Sequence, residues 1–144
     1  GVDVETLHMT ISNDYIPVIV PNDIDNEMEY IDPKDTALEI AVKMQADKLI
    51  YLSRYPGIYT DETRSDVYPR ITSEEVEELK KTRHFPEDFM VFLNHCRDAV
   101  HQGVNRAHIL DGRIEHVLPI EFFSIDGAGT VVIRDERTLY QHEL

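Results

Sequence analysis

Two short apolar runs on either side of a helical pattern constrain the fold of this chain more than any other feature. Tyr15–Val20 (YIPVIV) and Leu49–Leu52 (LIYL) have the continuous apolar character of strands buried on both faces of a sheet. Between them, apolar residues recur at the spacing of a helix, which we predict over residues 34–46. A strand, a helix and a strand in this order form a parallel pair with a right-handed crossover. The sequence therefore predicts the α/β class, with a mainly parallel sheet flanked by helices on both faces.

The second half of the chain adds helices and strands to this unit. Thr72 and Glu75 form a predicted capping box at the start of the helix SEEVEELKKT, and an amphipathic helix is predicted over residues 87–102. Ala107–Leu110 and Val131–Arg134 have the apolar character of strands. These patterns predict a sheet of four strands.

The remaining segments set the predicted boundaries. The polar residues 60–71 are predicted to form a loop, and the acidic loop after the first strand is predicted to carry a short hairpin arm at Glu27–Ile31. Residues 1–134 are the predicted domain, and the polar residues 135–144 are its tail or linker.

Charge and composition exclude several classes of function. The 28 acidic and 14 basic residues give a formal charge of −14, which repels phosphate backbones and predicts no nucleic-acid partner. No apolar run is long enough to span a membrane, so no membrane partner is expected. A single cysteine, Cys96, rules out an internal disulfide and fits a reducing cytoplasm. Neither a zinc-ligand spacing nor a Walker-type loop is present, so we expect no metal and no cofactor in this chain.

The stretch Arg106–Thr130 combines polar groups with apolar walls more densely than the rest of the chain, and pockets are built from such combinations. The backbone of Gly127–Gly129 lacks side chains at both ends and allows close approach to a ligand. A second candidate binding edge is Ser53–Tyr59, because ligands of parallel sheets bind beyond the carboxyl ends of the strands. The polar side chains of the first stretch are those of His108, Asp111, Arg113, His116 and Glu121.

Each of these side chains also has a purely structural interpretation. His108 is then a satisfied core histidine at a strand end, and Glu121 is a solvated helix residue. Asp111 and Arg113 flank a glycine and fit ordinary turn chemistry. A metal site of His108, Asp111 and His116 matches no established ligand spacing, so we predict none.

The same residues carry a family resemblance, and two further segments extend it. DYIPVIVP and KDTALEIAVKMQADKLIYLSRYPGIY are similar to segments of the amino-acid kinase family, especially of acetylglutamate kinases and the kinase-like domain of N-acetylglutamate synthases. The resemblance covers nearly the whole chain but only the second half of the family domain, without its glycine-rich phosphate loop. It implies the C-terminal half of a carbamate kinase-like fold. The C-terminal family signature is matched by His108, Asp111-Gly112-Arg113, His116, Glu121 and Gly127-Ala128-Gly129-Thr130.

The resemblance implies a site for L-arginine, because this segment forms much of the inhibitor site in arginine-regulated members. The implied arginine-binding residues are His108, Glu121, Gly127 and Gly129. A guanidinium pairs with planar acceptors, so Glu121 suits it, and the carbonyls around the glycines offer further acceptors. His108 would contact the carboxylate or other polar groups of the effector.

Other positions depart from the family's kinases. Asp35 matches an aspartate that organises phosphoryl transfer, and it is either a relic of that site or a first-turn helix carboxylate. Ile31 replaces the asparagine that binds substrate, Phe92 replaces the lysine that stabilises the phosphoryl group, and Arg54 replaces an aspartate. Phosphoryl transfer depends on positioning and charge stabilisation, so these departures predict a chain without kinase activity.

Three functional hypotheses follow from the resemblance. The leading one is an arginine-responsive, non-phosphorylating domain of a cytoplasmic N-acetylglutamate synthase, with acetyl transfer in a domain outside this chain. The second is an acetylglutamate kinase that uses ATP and magnesium. The third is a half-domain without activity that only binds a partner. The expected partners are the N-terminal half and the acetyltransferase domain of a longer parent protein. A half-domain exposes a strand edge, so we also predict a homo-oligomer.

Overall fold

The structure is a computed structural model that describes residues 1–21, 31–124 and 127–135. The predicted hairpin arm lies outside the described residues except for Ile31, and the predicted tail lies outside them except for Asp135. The described elements, in chain order, are α1 (Val4–Ser12), α2 (Pro33–Lys43), β1 (Lys48–Ser53), β2 (Arg70–Thr72), α3 (Ser73–Thr82), α4 (Glu87–His101), β3 (Arg106–Asp111), α5 (Val117–Phe123) and β4 (Thr130–Ile133).

The four strands form one sheet in the order β1-β3-β4-β2. β1 pairs with β3 in parallel, and β2 pairs with β4 in parallel. The central pair, β3 with β4, is antiparallel. Two of the three pairings are therefore parallel, and the prediction of a mainly parallel sheet is confirmed, with one reversed strand that the sequence pattern did not indicate.

The hydrophobic core lies between α4 and one face of the sheet. Leu93, Cys96 and Val100 follow one stripe of α4 and are buried, and they pack in the same cluster as Ala107 and Ile109 of β3. Burying an aliphatic side chain of this size stabilises the fold by about 1.5–3 kcal/mol. Burial also raises the pKa of the Cys96 thiol, which is therefore an inert core residue.

Local sequence signals account for the helix starts. The hydroxyl of Thr72 accepts a hydrogen bond from the Glu75 backbone N–H at 3.2 Å, and the Glu75 carboxylate accepts one from the Thr72 N–H at 3.5 Å, so the capping box is confirmed. The predicted loop over residues 60–71 is wrong at its end, because Arg70–Thr72 form β2. Three residues are too few to show a strand period.

The predicted buried strand Tyr15–Val20 is also wrong. The segment has no regular secondary structure, it pairs with none of the four described strands, and Ile16 and Val18 are 89% and 90% exposed. Pro17 has no N–H to donate to a strand ladder. The apolar run therefore has the composition of a buried strand, but none of the four described strands pairs with it and buries it.

None of the helices in residues 1–21, 31–124 and 127–135 combines the length and the apolar character needed to cross a bilayer.

Candidate functional site

His108 lies in the middle of β3 and points away from α4. Its neighbours Ala107 and Ile109 face the core, and successive side chains of a strand alternate between the two faces. The imidazole therefore faces α5, where its ring meets Phe122 edge-on with centroids 5.4 Å apart. Helices consequently flank both faces of the sheet, as predicted.

The His108 ring is buried without hydrogen bonds. The residue is 3% exposed, and neither ring nitrogen has a hydrogen-bond partner among the described residues. Nδ1 lies 3.5 Å from Oε1 of Glu121 without forming a hydrogen bond. Burial, aided by the positive charges of Lys48 and Arg106 and opposed by Asp47, lowers the pKa of His108 to about 4, so the ring is neutral near pH 7. The interpretation of His108 as a satisfied core histidine is wrong.

Glu121 projects from α5 towards the same place. Its side chain is 14% exposed, and Oε2 accepts a hydrogen bond from the backbone N–H of Ala128. Burial raises the pKa of this carboxyl group, and the Ala128 N–H partly opposes the rise. Glu121 is therefore an inward-facing carboxylate that has lost part of its hydration. The interpretation of Glu121 as a solvated helix residue is wrong.

The two glycines close this site from the loop before β4. Gly127 and Gly129 have φ angles of +62° and +74°, which favour glycine. A Cβ on Gly129 would lie 2.2 Å from the carbonyl oxygen of Ile109, and one on Gly127 would lie 3.2 Å from Oε2 of Glu121. The turn therefore passes directly over β3 and beside the carboxylate. We name the group of His108, Glu121, Gly127 and Gly129 the α5 site.

The D-G-R turn has the ordinary structural role. Oδ1 of Asp111 accepts hydrogen bonds from the Arg113 N–H at 3.0 Å and from Arg113 Nε at 2.9 Å, while Oδ2 accepts one from Nη2 at 2.8 Å. His116 is 76% exposed in its side chain and lies 3.3 Å from Glu115. Within the described part of the chain, no cluster of His, Cys, Asp or Glu has the arrangement of a metal site.

Asp35 lies at the first turn of α2, away from the α5 site. Its side chain is 67% exposed, and Oδ1 lies 2.5 Å from Nε2 of His95 on α4. The other ring nitrogen of His95 lies 2.8 Å from the carbonyl oxygen of Val91. The pair joins α2 to α4, and Asp35 lines neither of the two cavities described next. No sequence pattern indicated His95, because its contact with Asp35 spans 60 residues.

The second predicted edge, Ser53–Tyr59, forms one wall of a cavity of about 350 Å³. The opposite wall comes from residues 83–89, at the end of α3 and the start of α4. Ring walls are supplied by Tyr55, Tyr59, Phe85 and Phe89. We name this cavity the β1-end cavity.

A larger, more open cavity of about 640 Å³ lies at the start of α3. Glu74, Glu75, Glu78 and Asp135 line it together with Arg134. Of the charged residues in its lining, four are acidic and one is basic, and it holds none of the predicted site residues.

The sequence over residues 1–111 matches the amino acid kinase family. The chain belongs to this family. The acetylglutamate kinase of Methanothermobacter thermautotrophicus is 37% identical over 135 residues, which cover 92% of this chain and 46% of that kinase. The chain spans about half the length of the curated relatives it matches.

Two solved structures share the fold of this chain. The N-acetylglutamate synthase of Neisseria gonorrhoeae, complexed with coenzyme A and L-arginine, matches with a TM-score of 0.80 and 24% identity, covering 92% of this chain and 31% of that one. The carbamate kinase of Giardia lamblia bound to AMP-PNP matches with a TM-score of 0.68 and 16% identity, covering 92% and 44%. The carbamate kinase-like fold is confirmed, and the described elements are consistent with its C-terminal half.

Proposed function

We propose that this chain is the arginine-responsive, non-phosphorylating part of an N-acetylglutamate synthase of the cytoplasm, in which a separate domain transfers the acetyl group. The observation that carries the proposal is His108, a buried imidazole whose two nitrogens have no hydrogen-bond partner among the described residues and which lies beside a partly buried carboxylate. Natural proteins seldom leave such groups unsatisfied, and the exceptions call for a functional explanation. The L-arginine bound by the gonococcal synthase supports the choice of ligand.

The chemistry of the α5 site suits a guanidinium. Glu121 has one oxygen engaged by Ala128 and presents the other to the side of His108. An ionised carboxylate that is partly desolvated gains from a cationic donor, and each charge-assisted hydrogen bond contributes about 1.5–3 kcal/mol. A neutral imidazole offers one donor and one acceptor, so His108 can bind a polar group of the same ligand.

The residues around Asp35 and Phe92, where the kinase site would lie, give kinase chemistry weaker support. Phe92, which stands in place of a lysine, packs its ring against Tyr51 with centroids 5.2 Å apart. Asp35 is engaged by His95, and Asp32 caps the same helix end. A phosphoryl group there would face two carboxylates and one ammonium group, that of Lys34, which is already paired with Asp32 at 3.3 Å. A second candidate, an acetylglutamate kinase that uses ATP and magnesium, is favoured by the names of the curated relatives.

Titration calorimetry with L-arginine tests the proposal. The wild-type chain should bind saturably, and Glu121→Gln should weaken binding at least about tenfold, because the ligand cation then loses its counter-charge. Glu115→Gln is the matched control, since Glu115 is 88% exposed and lies outside the site. L-citrulline, which has the same shape without the charge, should bind as weakly to wild type as arginine binds to Glu121→Gln.

Two results would contradict the arginine proposal. Equal affinity of the wild type and Glu121→Gln would mean that arginine binds elsewhere. Saturable binding of MgATP without arginine binding would favour the kinase instead.

A third candidate, assembly with a partner, is favoured by the exposed segment Tyr15–Val20. Apolar side chains that are 70% or more exposed, as in Tyr15, Ile16 and Val18, are unusual outside an interface. The partner is a second copy of this chain or the N-terminal half of the parent protein. Light scattering that gives a clean monomer mass at high concentration would exclude the homo-oligomer. A double substitution Ile16→Lys and Val18→Lys should lower the mass of any oligomer and leave arginine binding unchanged.

A further inference from the structure

Thr130 is the first residue of β4 and directly follows the glycine turn of the α5 site. Its side chain is fully buried, and its Oγ1 accepts a hydrogen bond from the backbone N–H of Ile58 at 2.9 Å. Ile58 is fully buried as well, and the two residues are 72 positions apart in the chain. The bond therefore attaches the turn of the α5 site to the segment that follows β1.

The same contact lies against the wall of the β1-end cavity. Gly57 and Tyr59, on either side of Ile58, both line that cavity. A Cβ on Gly57 would lie 2.6 Å from Oγ1 of Thr130 and 3.3 Å from the carbonyl carbon of Gly129. The cavity wall and the turn are thus in direct contact, without room for a side chain between them.

On its other side the turn is held by Glu121. The backbone N–H of Ala128, two residues before Thr130, donates to Oε2 of this carboxylate. A guanidinium that binds Glu121 in the bidentate manner uses both carboxylate oxygens, so it shares Oε2 with Ala128. Gly129 cannot move towards β3, because a Cβ there would lie only 2.2 Å from the carbonyl oxygen of Ile109. A ligand that displaces the turn therefore also displaces Thr130.

We propose that Thr130 is a positioning residue of the α5 site, which fixes the glycine turn against Ile58 and passes its movement on to the wall of the β1-end cavity. Contact with the ligand stays with the residues of the α5 site, and Thr130 acts through the turn. The inference rests on the proposed arginine site and deepens it. Because linkage is reciprocal, a change made at the cavity wall must alter arginine affinity in turn.

Two glycine variants test the link from the side of the cavity. Gly57→Ala places a methyl group against Oγ1 of Thr130, and it should weaken arginine binding in titration calorimetry by about fivefold or more. Gly103→Ala is the matched control, because Gly103 also has a positive φ but no described atom lies within 4 Å of the added Cβ. The control should leave arginine affinity unchanged.

Two variants of Thr130 separate the hydrogen bond from the shape of the side chain. Thr130→Val keeps the shape but leaves the Ile58 N–H without its acceptor, and it should weaken arginine binding by about fivefold or more. Thr130→Ser keeps the hydroxyl and should bind arginine within about twofold of wild type. Far-UV circular dichroism checks that each variant is folded, and Thr130→Val carries the test if Gly57→Ala does not fold.

The amide resonance of Ile58 in nitrogen–proton correlation spectra reports the link directly. L-Arginine should shift this resonance in wild type and in Thr130→Ser, with the dissociation constant that calorimetry gives. The shift should be lost in Thr130→Val at saturating arginine. A purely structural role of Thr130 would not make the Ile58 amide respond to a ligand at Glu121.

A comparison without ligand tests the link independently of arginine. Glu121→Gln weakens the hydrogen bond from Ala128 and should by itself shift the Ile58 resonance, whereas the exposed Glu115→Gln should not. Absence of arginine binding by wild type would contradict the proposed function and leave this comparison to decide the link. An Ile58 resonance that is unchanged in Glu121→Gln, or one that does not move when arginine saturates wild type, would overturn the role of Thr130.

Discussion

The α5 site and the β1-end cavity handle their buried polar groups in opposite ways. Beneath α5, neither nitrogen of His108 has a hydrogen-bond partner among the described residues, and Glu121 accepts a hydrogen bond from the backbone of Ala128. At the end of β1, the Ser53 hydroxyl donates to the carbonyl oxygens of Tyr55 and Leu110, and the Arg83 guanidinium donates to the carbonyl oxygens of Tyr59 and Thr60. Polar groups without internal partners are available to a ligand, whereas polar groups at the end of β1 are already bonded to the chain itself. The difference distinguishes the candidate regulatory site from the other end of the same sheet, where the polar groups serve the fold.

The largest effect is expected from Gly129→Ala, which would break the α5 site by moving its turn. The added Cβ meets the Ile109 carbonyl oxygen at 2.2 Å in a backbone conformation that alanine disfavours. We expect a loss of roughly 3 kcal/mol or more in the free energy of unfolding. Gly103→Ala is the control, because Gly103 has φ +106° but open space around it, and it should cost about 1 kcal/mol. Urea unfolding that gives equal losses would show that the close approach is unimportant.

The next effect is the response of stability to acid. The pKa of His108 is about 4 in the folded chain, against about 6.5 when unfolded, so the unfolded chain binds more protons between these values. The contribution of the neutral His108 ring to the free energy of unfolding is therefore fully present above pH 6.5 and is lost as the pH falls towards 4. Between pH 7 and pH 5 we expect His108 to account for a loss of about 2 kcal/mol. Urea unfolding of wild type and His108→Leu at both pH values measures it, and equal losses in the two proteins would contradict the assignment.

A third test compares two buried polar side chains, His108 without and Ser53 with hydrogen bonds to described residues. His108→Leu removes two nitrogens that have no partner in the described part of the chain, and it should stabilise the chain by about 1 kcal/mol at pH 7 while arginine binding falls. Ser53→Ala removes a hydroxyl that has partners and should destabilise it by about 1 kcal/mol. Denaturant midpoints together with calorimetry give both quantities. If both variants were destabilised equally, the contrast between the two regions would fail.

The smallest effect is expected at Asp35, which lies in neither region. Its contact with His95 is mostly exposed on the Asp35 side, and such pairs contribute about 0–1 kcal/mol. Asp35→Asn should change the unfolding free energy within that range and leave arginine binding unchanged. A loss of arginine binding in this variant would show that Asp35 contributes to the arginine site, and it would contradict the assignment of that site to the residues around α5.

Sequence reasoning succeeded where the determining contacts are local. The Thr72–Glu75 capping box and the D-G-R turn are fixed within three residues, and the stripe of α4 repeats at helical spacing. The convergence of His108 with Glu121 spans 13 residues and was indicated by the family resemblance, but the absence of hydrogen bonds on the imidazole depends on packing. The periodicity of apolar residues predicts which side chains are buried, but it does not predict which buried nitrogens form hydrogen bonds.

The structural features that the sequence did not predict all depend on contacts between residues far apart in the chain. The reach of Arg83 to Tyr59 crosses 24 residues and depends on where α3 ends, and the reversed direction of β4 depends on the turn over β3. Tyr15–Val20 has strand composition, yet a strand exists only beside another strand. These features become visible only when the elements are placed in space.

The position of β2 at the far edge of the sheet affects the order of assembly. Its only strand neighbour in the described sheet is β4, which is made about 60 residues later on the ribosome, and β4 in turn rests on β3. The edge strand must therefore wait, unpaired, until almost all of the described chain has been synthesised, and loop closure of this length slows folding. The chain cannot complete its sheet progressively from the N-terminus, and the last strand to emerge joins both halves of the sheet at once.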